Sequence, residues 1–122
     1  MLKVHAENLE KVVVLRLRGR IVRGESEVLR QAVEAQSEAR VVILDLARVT
    51  AIDAGGLGLM LQLRQQTEAK GSRFELMNVT RWVGQVLAVT RLDSVFEISS
   101  SVELFPSVSR SARTPPALAS CA

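Results

Sequence analysis

Apolar and polar residues alternate through positions 2–6, and within 11–18 a run of four apolar residues precedes alternating arginine and leucine. These patterns predict a pair of strands joined by a turn at 7–10. In the second, Val12 and Val14 fall on one face, with Val13, Leu15 and Leu17 on the other. Both faces are apolar, which predicts an interior strand. Gly19 and Gly24 bracket a connection, after which the period lengthens. Over 26–39, Val28, Leu29, Ala32, Val33 and Gln36 form one helical stripe, while Glu27, Arg30, Gln31 and Glu34 face water. Ser26 or Gly24 is placed to cap that helix. Residues 41–46 form a β-branched run bounded by polar positions, the pattern of a strand covered on both faces.

A second helix is predicted from Ala54 to about Lys70, with Gly71 as its stop. Residues 73–79 alternate, placing Phe74 and Leu76 on one face of a further strand. Thr80 is placed to cap a third helix in which Val83, Val86, Leu87 and Thr90 share a face. Residues 91–94 turn the chain into a last short strand at 95–98. The order β-β-α-β-α-β-α-β implies parallel pairs with right-handed crossovers, and an antiparallel opening pair in a mixed sheet. Pro106 interrupts a helix begun at Ser100 or Ser101, or opens a new one at Ser107. Residues 106–122, with their Ser, Pro and Ala, are read as a tail, mobile unless docked, beyond a single domain at 1–105.

The chemistry concentrates between positions 41 and 58. Asp45 ends the apolar run, and Asp53 stands before Gly55, Gly56 and Gly58, which open the second helix. Such an opening offers backbone N–H groups to an anion or a partner. Each glycine costs about 0.5–1 kcal/mol relative to alanine where the backbone is helical, so something must offset it. Two compatible reasons present themselves: close packing of the turn against a neighbouring strand, and approach of another molecule to the amides. Asp53 is placed to cap the helix through Gly55 or Gly56, a role favoured over general-base chemistry because no acid or nucleophile accompanies it. Asp45 reads as a local anchor for the loop backbone. Leu57, Leu59, Met60, Leu61 and Leu63 spread over roughly 200° of the helix, wider than an ordinary core stripe. Either neighbours cover both flanks, or part of the stripe faces a partner and makes a surface from Asp53 to Leu61. Neither a P-loop nor a dinucleotide fingerprint is present.

Composition narrows the function classes. The chain has 122 residues, 48% hydrophobic and 24% charged, as in one soluble globular domain. Its longest apolar runs are about four residues, against the roughly 20 that cross a bilayer. No basic region leads into an apolar stretch, so direct membrane insertion is not expected and the cytoplasm is the expected compartment. Of the net charge of +3, Arg110 and Arg113 lie in the acid-free tail, leaving 14 basic and 13 acidic side chains elsewhere. With three Phe, one Trp and no Tyr, no nucleic-acid partner is expected. Cys121 is alone and His5 is the only histidine. Hence no metal site, no cofactor and no catalytic residue is expected, and the chain is read as a non-enzyme.

Taken in order, the segments resemble the STAS domain, named for sulfate transporters and anti-sigma factor antagonists. The residues that carry the resemblance are Val42-Ile43-Leu44-Asp45-Leu46 with Val49, Ile52-Asp53, and Gly56-Leu57-Gly58. Gly71, Phe74, Leu76 and Asn78-Val79 continue it, as do Leu87 to Asp93 and Val95-Phe96, so that it spans about residues 3–103. The resemblance implies an α/β fold: a single domain with a mixed central sheet of about five strands and helices mainly on one face. It also implies a protein-binding switch of the antagonist type. Such proteins bind an anti-sigma factor, often a serine kinase of histidine-kinase-like ATPase fold, and free a sigma factor for transcription. Asp53, Ala54, Gly55, Gly56, Leu57, Gly58, Met60 and Leu61 would form the partner-binding loop and helix.

In phosphorylated members the loop reads Asp-Ser/Thr-Ser/Thr-Gly, whereas here it reads Asp53-Ala54-Gly55-Gly56. The acceptor position corresponds to Gly55, which has no hydroxyl. Thr50, the nearest hydroxyl upstream, lies outside the matching position. The expectation is a partner-binding surface that has lost its phospho-control. Two other readings stand beside it: an accessory subunit of an ABC-type lipid-transport ATPase, and a sensor holding a nucleotide or small anion on the loop amides. A homodimer is left open. Pro106 departs from the helix that usually closes members of the family.

Overall fold

The structure, a computed structural model, describes residues 1–99. Its elements are β1 (Lys3–Leu9), β2 (Val12–Ile21), α1 (Glu27–Glu34), β3 (Val41–Ile52), α2 (Ala54–Ala69), β4 (Arg73–Met77), α3 (Arg81–Val89) and β5 (Glu97–Ser99). A 3-10 turn at Leu92–Ser94 precedes β5. The sheet order follows the chain, β1-β2-β3-β4-β5, with the first pair antiparallel and the others parallel. The predicted order of elements and the mixed five-stranded sheet are both present. The tail at 106–122 and its expected mobility lie outside the described residues.

Alternation along the strands sorts the core. Val13, Leu15 and Leu17 of β2, Val42, Leu44 and Leu46 of β3, and Phe74 and Leu76 of β4 share one cluster. Leu29 and Val33 of α1, Leu57, Met60 and Leu63 of α2, and Val83 and Leu87 of α3 fill the same cluster. The three helices therefore lie on one face. The opposite face holds a smaller group of Val14, Ile43 and Met77, flanked by Val12 and Val41.

Several boundaries move from their predicted places for identifiable reasons. β3 continues to Ile52 instead of stopping at 46, because its pairing with β2 shifts register between Arg16 and Arg18 and again after Gly19. The shift sends both Leu46 and Val49 into the core three positions apart, which breaks the period of two. α1 ends at Glu34, short of 39. Arg40 N–H donates to the Lys11 carbonyl at 2.7 Å, so the intervening residues must turn toward the start of β3. β1 runs to Leu9, and the turn falls on Glu10 at φ 59°. β4 stops at Met77 ahead of Asn78, which sits at φ 56°. Gly71 stops α2 from the left-handed region at φ 87°. Thr80 caps α3 by accepting from Val83 N–H at 3.3 Å.

Candidate functional site

The loops that follow β2 and β3 leave the same end of the sheet, and Asp53 ties them together. It caps α2 from an extended backbone, accepting from Gly56 N–H at 2.7 Å. Its two carboxylate oxygens also accept from Arg23 N–H at 3.2 and 3.1 Å. In the main chain, Asp53 N–H donates to Ile21 carbonyl at 3.4 Å, and Leu57 N–H donates to Asp53 carbonyl at 2.9 Å. The amide of Gly56 first, and then that of Arg23, stabilise the ionised form and hold the Asp53 carboxyl below its ordinary pKa. The sequence predicted the cap; the partnership with Arg23, thirty residues away, has no local signal beyond the neighbouring Gly24.

Space explains two of the three glycines. A Cβ on Gly56 would sit 1.8 Å from the Ile21 carbonyl oxygen, and one on Gly55 would sit 2.8 Å from Arg23 Cβ. Gly58 meets nothing within 4 Å. Close packing of the turn therefore accounts for Gly56 and bears on Gly55, while Gly58 stays open.

The expected partner-binding residues divide between surface and interior. Asp53, Ala54, Gly55 and Gly58 are exposed, and Leu61 is half-buried. Gly56 is buried against Ile21 at the end of β2. Leu57 and Met60 correct the expectation that they face outward: at 8% and 0% exposed they lie in the core with Leu63. The wide leucine stripe resolves into an inner row of Leu57, Met60, Leu63 and Thr67, with Leu59 and Leu61 on its flanks. Beside the loop, a cleft of about 320 Å³ is lined by Arg23, Gly24, Ser26, Glu27, Arg30, Gly55 and Leu59. The sequence pattern assigns Arg23 to a connection and Arg30 to the solvent face of α1. Ser26 occupies the cap position of α1, yet its Oγ donates to Val22 carbonyl at 2.7 Å and caps nothing.

The anion-binding reading of the loop meets a physical obstacle. Gly56 and Leu57 N–H groups already donate to Asp53, whose carboxylate holds the place an anion would take at the start of α2. Asp45 does anchor backbone, its Oδ1 accepting from Ala47 N–H and Asn78 Nδ2, both at 3.0 Å. Thr50 lies in β3, where its hydroxyl donates to Gly19 carbonyl at 3.2 Å. His5 is exposed on β1. Among the described residues no group of three or more His, Cys, Asp and Glu is arranged to hold a metal ion. No described helix is long and apolar enough to cross a membrane.

Comparison with known proteins agrees with this architecture. The family model of the STAS domain matches residues 3–108. A STAS-domain containing protein of Pseudomonas aeruginosa is 27% identical over 88 residues, covering 71% of this chain and 87% of that protein. Among solved structures, an anti-sigma factor antagonist from Mycobacterium paratuberculosis superposes with a TM-score of 0.74 at 19% identity, covering 90% of this chain and 95% of its own. The anti-sigma factor antagonist SpoIIAA in its unphosphorylated form gives a TM-score of 0.70 at 23% identity, covering 87% and 96%. SpoIIAA in its phosphorylated form gives 0.65 at the same identity, over 87% and 99%. At these identities the structures speak to the fold, and the family model to membership: the chain belongs to the STAS domain family.

Proposed function

We propose that this chain is a non-enzymatic, protein-binding regulator of the anti-sigma factor antagonist type. It docks an anti-sigma factor of histidine-kinase-like ATPase fold through the exposed loop at Asp53, Ala54 and Gly55 and the outer flank of α2 at Gly58 and Leu61. Docking releases a sigma factor, and the usual loop phosphorylation does not reverse it. The observation that carries this reading is the loop itself: exposed, locked by Asp53 to Arg23 and Gly56, and without a hydroxyl at 54 or 55. SpoIIAA, of the same fold, occurs in unphosphorylated and phosphorylated forms. A neutral glycine at the matching position corresponds to the first of these, since a phosphoryl group would add about two negative charges there.

The packing at Gly55 strengthens the argument. A side chain there presses on Arg23 Cβ at 2.8 Å, so the neighbouring loop has closed over the space a serine would need. The test mixes the chain with its anti-sigma kinase and ATP, and compares wild type with Gly55→Ser and Gly55→Ala. Wild type is expected to bind the kinase and take no phosphate in the loop. Gly55→Ser is expected to accept phosphate and then dissociate, with Gly55→Ala reporting the steric effect alone. Stoichiometric phosphate transfer to the wild-type loop would refute the reading, and so would failure of the wild type to bind any such kinase.

A further inference from the structure

The face of the sheet away from α1, α2 and α3 carries a row of cations. Lys3 of β1 stands opposite Arg18 of β2, and Arg18 stands opposite Arg48 of β3. Three positive charges thus lie side by side across three adjacent strands, roughly 10 Å from end to end at about 4.8 Å per strand. All three are exposed, and none has an ion-pair partner among the described residues. Directly opposed like charges destabilise a sheet, so the arrangement calls for a compensating role. A lysine on an edge strand commonly guards that edge against pairing. That explanation covers Lys3 and leaves Arg18 and Arg48, on the second and third strands, without one.

The neighbouring row completes a cleft. His5 stands opposite Arg16, and Arg16 opposite Asp45. Arg16 pairs with Glu7 at 2.7 Å, and Asp45 is engaged by Ala47 and Asn78. The register shift of β3 against β2 turns both Ala47 and Arg48 outward and opens the surface between the rows. The resulting cleft, of about 390 Å³, is lined by Lys3, His5, Arg16, Arg18, Asp45 and Arg48. That volume lies within the usual range for small-ligand sites. Guanidinium forks match phosphate oxygens in geometry as well as charge.

We propose that this cleft binds a ligand carrying two or more phosphate groups, drawn either from a soluble polyphosphate or from a phospholipid headgroup. The row is wider than one phosphate can bridge, whereas two or three linked phosphates can engage Lys3, Arg18 and Arg48 together. The site stands apart from the Asp53 loop and does not depend on the partner proposed for it.

Calorimetric titration with sodium tripolyphosphate and with ATP, and sedimentation with vesicles containing cardiolipin against phosphatidylcholine alone, test the proposal. At least one anionic probe is expected to bind, and the binding to weaken with added salt. Arg18→Gln and Arg48→Gln should each lower the affinity about tenfold or more. Both variants should unfold at or above the wild-type temperature, since each relieves like-charge opposition; a merely structural role would lower it. Lys3→Gln on the edge strand serves the same purpose should Arg18→Gln fail to fold. Binding of tripolyphosphate or ATP without vesicles identifies a soluble ligand, and binding of anionic vesicles alone identifies a headgroup. Absence of binding in every arm at low salt would overturn the proposal. So would binding that falls with Arg30→Gln and survives Arg18→Gln and Arg48→Gln. Tighter binding of a single-stranded oligonucleotide than of tripolyphosphate would overturn it in favour of a nucleic-acid face.

Discussion

Adding one methyl group at position 56 should damage the chain, while adding one at position 58 should help it. At Gly56 the new Cβ would lie 1.8 Å from the Ile21 carbonyl oxygen, 2.7 Å from its carbon and 3.1 Å from Ile21 Cγ2. No rotamer relieves a clash with backbone. The start of α2 must move away from β2, and the motion strains the Asp53 contacts to Gly56 at 2.7 Å and to Ile21 at 3.4 Å. Overpacking of this kind costs about 1–3 kcal/mol and occasionally more, and alanine's helix preference returns only about 0.5–1 kcal/mol. At Gly58 nothing lies within 4 Å, so the same preference acts unopposed. With a urea slope of about 1–3 kcal/mol per molar, a net loss of about 1–2 kcal/mol should lower the Gly56→Ala unfolding midpoint by about 0.5 M or more. Gly58→Ala should raise it by a few tenths of a molar, with slopes unchanged in both. A Gly56→Ala midpoint within about 0.3 M of wild type would refute the close approach of α2 to Ile21. A matching fall in Gly58→Ala would refute the contrast between the two sites.

Asp53 carries a pH dependence of definite sign. Its pKa is lowered in the folded chain, so its contribution is complete above the ordinary value near 3.8 and is lost as pH falls through the lowered one. Urea midpoints of wild type and Asp53→Asn should therefore differ at neutral pH and converge as the pH falls through the lowered pKa; a gap that widens there would contradict the hydrogen-bond assignment. Leu61→Glu, on the half-buried flank, should cost less stability than a charge at a fully buried position and weaken partner binding on the order of tenfold, as read by calorimetry. Leu57→Glu should lose stability first, because it places a charge in the core, and circular dichroism melting separates the two cases.

The fold was legible because its signals are local and mutually consistent. The apolar run within 11–18, the β-branched run at 41–46, the stop at Gly71 and the cap at Thr80 each name an element without tertiary information. Legibility failed where packing overrode period. The register shift in β3 places Leu46 and Val49 together in the core, so a pattern of two could not carry the strand past Leu46. The candidate site was only partly readable for a related reason. A helical wheel shows that leucines spread around α2, and only the neighbours decide that Leu57 and Met60 turn in while Leu61 stays on the flank. Arg23 was unreadable as a site residue because what it contributes is a backbone N–H and a Cβ contact, neither of which depends on its being arginine. The cation row needed register: Lys3, Arg18 and Arg48 are scattered in sequence and meet only once three strands are aligned.

The geometry at position 55 bears on how firmly phospho-control has been lost under the proposed function. A bare serine-to-glycine change would leave a gap that the reverse change could refill. Here Arg23 Cβ lies 2.8 Å, Cγ 3.3 Å and Cα 3.4 Å from where a side chain at 55 would begin. Arg23 is held there by its own N–H bonds to Asp53, the residue that also caps α2. Making room at 55 therefore means loosening the clamp that orders the loop a kinase would have to recognise. A hydroxyl restored at 55 has to displace Arg23 before it can be presented. Gly55→Ser combined with Arg23→Gly, which removes the obstructing Cβ, is on that account expected to accept phosphate faster than Gly55→Ser alone. Equal rates in the single and double variants would show that Arg23 is a bystander and that the missing hydroxyl is the whole of the difference.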